Sequence, residues 1–330
     1  MPGSEMRSSS PSPWRRPLLA GLGTLVLALG LVAGRVVWFD PYWEFRSEPP
    51  WTQENEGRNR LLDRQMRRAK SLQAMTRAYD VALVGSSTTY QGLDPADADP
   101  GLRVYNAGIS GILANELPTI AGIVASRSEV WRVAIGLDYY MFSRTDAAVR
   151  LDPDLATTLG RTTALLGSLV GRYAIHDAWA SETGRRTDPG RWTYAGFRIT
   201  PKLPPEETRL NDATRRRTTV QLQTATFSGI EGALTALAER EIDLYLAPVS
   251  RAQRRVLADR HLTEDFDRWR ADMAAIAKRR GVRFHDLTAL GSEDGFDPDR
   301  GSSDLWLDNL HYTPVIGRQV LAALGLRSRP

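Results

Sequence analysis

Asp80-Val81-Ala82-Leu83-Val84-Gly85-Ser86-Ser87-Thr88 is a short apolar run closed by a glycine and a cluster of hydroxyl side chains. Consecutive apolar residues bounded by turn formers read as a strand buried on both faces. The pattern returns along the chain. Residues 103–105 run into Asn106-Ala107-Gly108, and 130–137, 242–248 and 282–287 repeat the motif. Residues 112–126 are apolar enough for a crossover helix, with Pro118 and Gly122 as candidate bends. Thr263 is the expected N-cap of a further helix, with Glu264 and Asp265 in its first turn, Phe266, Trp269, Met273 and Ile276 on one face, and Lys278-Arg279-Arg280-Gly281 at its end. Thr313-Pro314 opens a last amphipathic helix whose buried side is Val315, Ile316, Val320, Leu321 and Leu324. Strands alternating with helices predict an α/β fold, a three-layer α/β/α domain with about five parallel strands. In such sheets ligands bind beyond the carboxyl ends of the strands, where Ser86, Ser87, residues 106–111 and Asp138 fall.

Residues 143–240 break the rhythm. Residues 152–175 have helical character, 184–207 are rich in Pro, Gly and Arg, and 220–239 read as another helix. The segment is expected to be a mainly helical insertion near the strand ends, a candidate lid or substrate platform. Before the alternation, 58–79 carries apolar residues at helical spacing among many arginines, and 40–57, with Pro41, Pro49, Pro50 and Gly57, reads as a stem.

The chain begins differently from its body. Residues 1–17 form a polar, proline-rich tail with Arg7, Arg15 and Arg16, and 18–39 are then apolar or small except for Thr24 and Arg35. As a helix that stretch reaches roughly 33 Å, enough for a bilayer. Arg35 can snorkel at its far end, with Trp38, Tyr42 and Trp43 as an aromatic belt. The arginines ahead of the span predict a single-pass inner-membrane protein with a cytoplasmic N-terminus and a periplasmic main domain, residues 58–330. A cleaved signal peptide competes, because Val32-Ala33-Gly34 offers small residues at a cleavage position. The long run and its aromatic continuation favour a retained anchor.

The 330 residues contain no cysteine, which excludes disulfides, thiolate metal sites and cysteine nucleophiles. Net charge is +4 and rests on arginine, since Lys70, Lys202 and Lys278 are the only lysines. No basic stripe is interleaved with aromatics, so nucleic acid is not an expected partner. No spacing of His, Asp and Glu argues for a metal, and 85–89 lack the second glycine and the lysine of a phosphate-binding loop, so no cofactor is expected.

A serine hydroxyl needs an imidazole to take its proton, and the imidazole needs a carboxylate to hold its tautomer. Of the four histidines, His176, His261, His285 and His311, only His311 has an aspartate three residues earlier, Asp308, and a helix start directly after it. Three-residue spacing in a turn brings carboxylate and imidazole to one side. His285 and Asp286 are neighbours on an expected strand and point to opposite faces, so His285 reads as structural. Trp306 and Tyr312 are candidates for the pocket wall or for the core. Ser86 and Ser87 are rival nucleophiles, and a serine here also has a plain role capping the helix after the first strand.

These strand-end residues resemble the SGNH, or GDSL, hydrolase superfamily, in order over roughly residues 80–325. Gly85-Ser86-Ser87 is similar to its Gly-Asp-Ser block, with Ser87 in the nucleophile position. Asn106-Ala107-Gly108-Ile109-Ser110-Gly111 resembles Asn-x-Gly-x-Ser-Gly, and Asp308 with His311 resembles Asp-x-x-His. The resemblance implies a flavodoxin-like sheet, a triad of Ser87, His311 and Asp308, and an oxyanion hole of the Ser87 and Gly111 amides. Ser86, Asn106 and Asp138 are further expected site-wall residues. One block departs: the family's Gly-x-Asn-Asp is Gly136-Leu137-Asp138-Tyr139, without the donor asparagine. An ionised Asp138 cannot donate, and losing one such donor costs about 10² to 10³ in rate.

The layout is most similar to membrane-anchored members that acetylate exopolysaccharides or transfer D-alanine to cell-wall polymers. That implies an extracytoplasmic esterase or O-acyltransferase acting on acyl esters of an envelope polysaccharide, held by residues 18–39, with a membrane-bound acyltransferase as candidate partner. The missing asparagine motivates the alternative, a non-catalytic envelope protein that keeps the fold for polysaccharide binding or assembly.

Overall fold

A computed structural model of the chain describes residues 14–47, 49–50, 62–143, 151–182, 191–294 and 296–327. Most of the expected tail, the second half of the stem and residues 144–150 and 183–190 of the expected insertion lie outside them.

In chain order the helices are α1 (Arg15–Phe39), α2 (Met66–Thr76), α3 (Ser87–Gly92), α4 (Leu117–Ala125), α5 (Thr158–Val170), α6 (Arg172–Glu182), α7 (Pro205–Thr218), α8 (Phe227–Ala236), α9 (Arg251–Asp259), α10 (Thr263–Arg280) and α11 (Pro314–Ala323). The strands are β1 (Val81–Val84), β2 (Val104–Asn106), β3 (Arg132–Leu137), β4 (Arg191–Trp192), β5 (Arg198–Ile199), β6 (Glu241–Leu246) and β7 (Arg283–Asp286). Five strands pair in parallel in the order β2-β1-β3-β6-β7, while β4 and β5 form a separate antiparallel ribbon. Counting only the main sheet, this is the doubly wound order 2-1-3-4-5, whose switch point lies between β1 and β3.

The two-residue period of the strands builds the layers. Ala82 and Val84, Val133, Ile135 and Leu137, and Leu244 and Leu246 face one core, with α4, α8 and α10 packed over them. Val81, Leu83, Ala134 and Tyr245 face the other, under α11 and the segment around Trp306. Both faces are covered, which is why the strands read as continuous apolar runs.

Several local expectations need correction. Pro118 and Gly122 do not bend a helix across 112–126; Pro118 sits in the first turn of α4, where its missing N–H costs nothing, after a 3-10 turn at Ala114–Glu116. The helical stretch 152–175 is two helices, because Gly171 is extended between α5 and α6. Thr263 is the first residue of α10, and the residue before it, Leu262, makes no side-chain cap. The helix expected across 220–239 begins only at Phe227, and α7, α9 and the ribbon were not anticipated. Thr313 does cap α11, accepting the Val315 amide at 3.3 Å.

α1 is long and apolar enough to cross a membrane, a test that a signal sequence also passes. Leu18, Leu22, Leu25, Val26 and Leu29 are all exposed, and the Thr24 hydroxyl bonds the Ala20 carbonyl at 3.0 Å, so the helix carries its one internal polar side chain without needing water. At its far end Val36 is buried with Ala174 and Ala178 of α6, and Arg35 lies 4.8 Å from the centroid of the Trp179 ring.

The sheet carries a buried ionised centre. Asp243 on β6 is fully buried and accepts from Arg132 at 2.7 Å, Arg283 at 2.7 and 3.0 Å and His285 at 3.0 Å. Burial alone raises this carboxyl, but the bonds from His285, Arg283 and Arg132 outweigh it and hold the group well below the usual carboxylate range. His285 is therefore structural, tying β7 to β6. Replacing Asp243 by Asn is expected to lower unfolding free energy by about 3 kcal/mol, because Arg132 loses its buried partner. Because the folded carboxyl is depressed, its contribution is full above the unfolded value of about 3.9 and is lost as pH falls through the folded value. Denaturant titrations of wild type and D243N across pH 3–7 should therefore converge toward the acid end.

Candidate active site

The end of β1 is tightly constrained. A Cβ on Gly85 would stand 2.1 Å from the Thr89 hydroxyl and 3.0 Å from the Gly136 carbonyl, so only glycine lets the chain turn from β1 into α3 beside β3. Ser86 is the N-cap of α3 and accepts the Thr88 amide at 3.2 Å. The capping role thus belongs to Ser86, which leaves Ser87, the first helical residue, with its hydroxyl unused by the backbone.

That hydroxyl meets the far end of the chain. Ser87 Oγ lies 2.7 Å from His311 Nε2, and His311 Nδ1 lies 3.0 and 2.9 Å from the two Asp308 oxygens. The three-residue spacing is realised in a closed turn, where the Leu307 amide bonds the His311 carbonyl at 2.8 Å. Asp308 is 2% exposed, and the Leu310 and His311 amides each donate to its Oδ1 at 2.8 Å. Burial raises this carboxyl, but His311 and the two amides dominate and keep it far below the ordinary range. With Asp308 ionised, His311 carries its hydrogen on Nδ1 and turns Nε2 to Ser87 as an acceptor.

Ser87 and His311 open onto a cavity of about 260 Å³ that Gly111, Asp138 and Tyr140 also line. Gly111 has a φ of 57°, a conformation that favours glycine, and its amide makes no hydrogen bond among the described residues. The floor is apolar, formed by Leu257, Phe266 and Trp269. A small acyl group fits such a space.

Asp138 differs from the ionised residue expected at this place. Its Oδ2 accepts from Ser86 Oγ at 2.5 Å and Thr88 Oγ1 at 2.9 Å, and it is 5% exposed. Burial pushes this carboxyl up against the pull of those two hydroxyls and of His311 and Arg215. The net direction is upward, so this carboxyl holds its proton more tightly than a solvated one.

The other four expected wall residues do not line the cavity; Ser86 is fully buried beneath it as the α3 cap. Asn106 is fully buried behind the site, donating to the Thr89 and Leu93 carbonyls at 2.9 and 2.8 Å and accepting the Gly108 amide at 3.0 Å, so it staples the second loop to α3. Trp306 and Tyr312 are core residues beneath the 307–311 turn, edge to face at 6.3 Å, with Trp306 Nε1 bonded to the Gly291 carbonyl at 3.0 Å. Neither lines the cavity, because both side chains point into the layer under α11.

No protein-family model matches the chain, and no curated protein does. Among solved structures, a Streptococcus pneumonia protein described provisionally as a platelet activating factor is similar with a TM-score of 0.43 and 11% identity, over 81% of this chain and 92% of that one. The chemistry of the site is read from its own geometry.

The site also includes residues that carry no local signal in the sequence. Asn211 on α7 donates to Asp308 Oδ2 at 3.0 Å. Among the described residues the buried Tyr140 hydroxyl makes no hydrogen bond, and Arg215 lines the cavity from α7. Asn211 and Arg215 belong to the segment that breaks the strand alternation, whereas Tyr140 directly follows β3. His176 bonds its neighbour Asp177 at 2.8 Å, remote from the cavity, and among the described residues no group of His, Asp and Glu is placed to hold a metal ion.

Proposed function

We propose that the chain is an SGNH-type serine esterase or O-acyltransferase, anchored through residues 18–39 and acting outside the membrane on acyl esters of an envelope polysaccharide. The observation that carries the reading is the unbroken line of hydrogen bonds from Ser87 through His311 to a buried, ionised Asp308. A plain helix-capping serine needs no such partner, and Ser86 already fills that role. The blocks at 85–87, 106–111 and 308–311 fall where the superfamily's own blocks fall, and the domain boundaries given above belong to the same proposal.

In this mechanism Ser87 Oγ attacks the ester carbonyl while His311 Nε2 takes its proton. The Oγ–C bond forms, and the carbonyl oxygen becomes an oxyanion facing the Ser87 and Gly111 amides. Collapse breaks the C–O bond to the leaving alcohol, which receives the proton from His311 and leaves an acyl-enzyme. Water or a polymer hydroxyl then gives up its proton to His311 and attacks the acyl carbon; the bond from that carbon to Ser87 Oγ breaks, and His311 returns the proton to Ser87. Asp308 holds the tautomer and stabilises the imidazolium throughout. The neutral Asp138 supplies the third donor, in place of the family's asparagine, because its Oδ2 is occupied by Ser86 and Thr88 and its other oxygen is left for the cavity.

Ser87→Ala and His311→Ala are each expected to reduce hydrolysis of an activated acetyl ester by about 10⁴-fold or more, and Ser87→Ala to abolish fluorophosphonate labelling. Wild-type protein that stays unlabelled under conditions where a known esterase reacts would sink the proposal. Asp138→Ala is expected to lose about 10² to 10³ in kcat, as for one oxyanion donor. The groups facing Asp138 are Ser86, Thr88, His311, Arg215 and the phenols of Tyr140, Tyr245 and Tyr312. The acid donates only below its raised pKa, so wild-type rate falls as pH rises through that value. Asp138→Asn, a donor at every pH, should lack this alkaline loss; an identical pH profile for the two proteins would remove Asp138 from the oxyanion hole. Intact mass of the membrane-extracted protein should include residues 18–39, and a mature chain beginning at Arg35 would replace the anchor by a signal peptide.

A further inference from the structure

The three consecutive arginines that end α7 are not equivalent. Arg216 pairs with Asp212 at 2.8 Å and also with Asp259. Arg217 is exposed, and only Arg215 lines the cavity of Ser87 and His311. Among the described residues Arg215 makes no side-chain hydrogen bond and has no carboxylate within ion-pair distance; its guanidinium carbon stands 5.8 Å from the centroid of the Tyr140 ring, and it acts on the Asp138 carboxyl only at longer range. It is half-buried. A guanidinium partly withdrawn from water, with five donors and no acceptor, is unfavourable unless something anionic arrives.

The cavity does not supply that anion. Asp138 is its one acidic side chain; its Oδ2 is engaged by the Ser86 and Thr88 hydroxyls, and it lies beyond ion-pair distance of Arg215. The position of Arg215 is also fixed relative to the reacting atoms. Asn211 stands four residues earlier on the same face of α7 and bonds Asp308 at 3.0 Å, so Arg215 lies about one helical turn, roughly 5.4 Å of rise, from a group touching the triad acid. The Arg216 pairs with Asp212 and Asp259 tie the same helix turn to α9.

We infer that Arg215 binds a carboxylate carried by the substrate close to the scissile ester, so that the preferred substrates are anionic acyl esters. The inference rests on the esterase or acyltransferase reading and names the substrate class of that site. The carboxylate belongs either to the acyl part, as in a dicarboxylic half-ester, or to the alcohol part, as in an acylated uronic acid; both present the planar group that a guanidinium grips with two parallel hydrogen bonds.

The full chain in detergent is assayed with two matched pairs: 4-nitrophenyl hemisuccinate against 4-nitrophenyl acetate for the acyl side, and O-acetyl glucuronate against O-acetyl glucose for the alcohol side. Wild type is expected to favour the anionic member of one pair, and Arg215→Gln to reduce that kcat/KM ratio by ~10- to 100-fold, with Arg215→Lys intermediate. Which pair responds assigns the carboxylate to the acyl or the alcohol part. A merely structural arginine lowers both members together, and an unchanged ratio in both pairs overturns the inference. Calorimetric binding of glucuronate and monomethyl succinate, wild type against Arg215→Gln, reads the anion site without catalysis. A protein that turns over no ester yet loses carboxylate binding with Arg215 keeps the anion site and loses the catalytic reading; one that hydrolyses neutral esters but shows neither ratio nor binding effect does the reverse.

Discussion

A carboxylate withdrawn from water stays ionised only if its lone pairs are met, and the candidate site depends on that condition being satisfied at Asp308. The Leu310 and His311 amides, the His311 imidazole and the Asn211 amide all converge on it. Two donors come from the turn itself, so the Asp-x-x-His spacing builds its own support. The fourth comes from α7. The histidine tautomer, the direction of Nε2 and the distance to Ser87 all follow from this carboxylate, while Asn106 and Gly85 fix the other partner from behind.

Asp308 and Asp138 stand in opposite electrostatic settings. Asp308 receives backbone amides and faces the imidazole; Asp138 is hydrogen-bonded by two hydroxyls, and burial prevails over them and over the more distant His311 and Arg215. Environments that push two carboxyls apart at one site assign them different roles, one as a charge and one as an acid. In the proposed mechanism that contrast is what lets Asp138 stand beside an oxyanion without repelling it. An aspartate held neutral presents what an asparagine presents, a carbonyl-type acceptor on one side and a donor on the other.

Four strands were legible because they are buried on both faces, so 81–84, 103–105, 130–137 and 242–248 stand out by composition; the edge strand at 282–287 is only partly buried, and all five lie within a residue or two of the observed strands. The order of blocks was legible for a related reason: the ends of parallel strands must converge on one edge. What composition could not give was anything decided by distance. Asn106 carries the same residue type whether it faces a ligand or staples two loops, and Trp306 and Tyr312 look alike in a wall or a core. The ionisation of Asp138 depends on Ser86 and Thr88, some fifty positions away. α7 escaped notice because its sequence, Pro-Glu-Glu-Thr-Arg-Leu through three arginines, has almost no apolar face; acids in its first turn and arginines in its last stabilise it instead.

That helix is also where the fold and its selectivity separate. Ser87, His311 and Gly111 take no direct hydrogen bond from α7, whose one described bond to the candidate triad runs from Asn211 to Asp308. α7 therefore contributes little to the architecture and much to the mouth of the cavity, where Arg215, Thr218 and Thr219 face inward. A charged helix with few buried side chains can change its inward residues at small cost to stability, whereas the strand ends cannot. Substrate preference is thus expected to vary along the inward face of α7, and the chemistry to stay with the residues that the sheet itself positions.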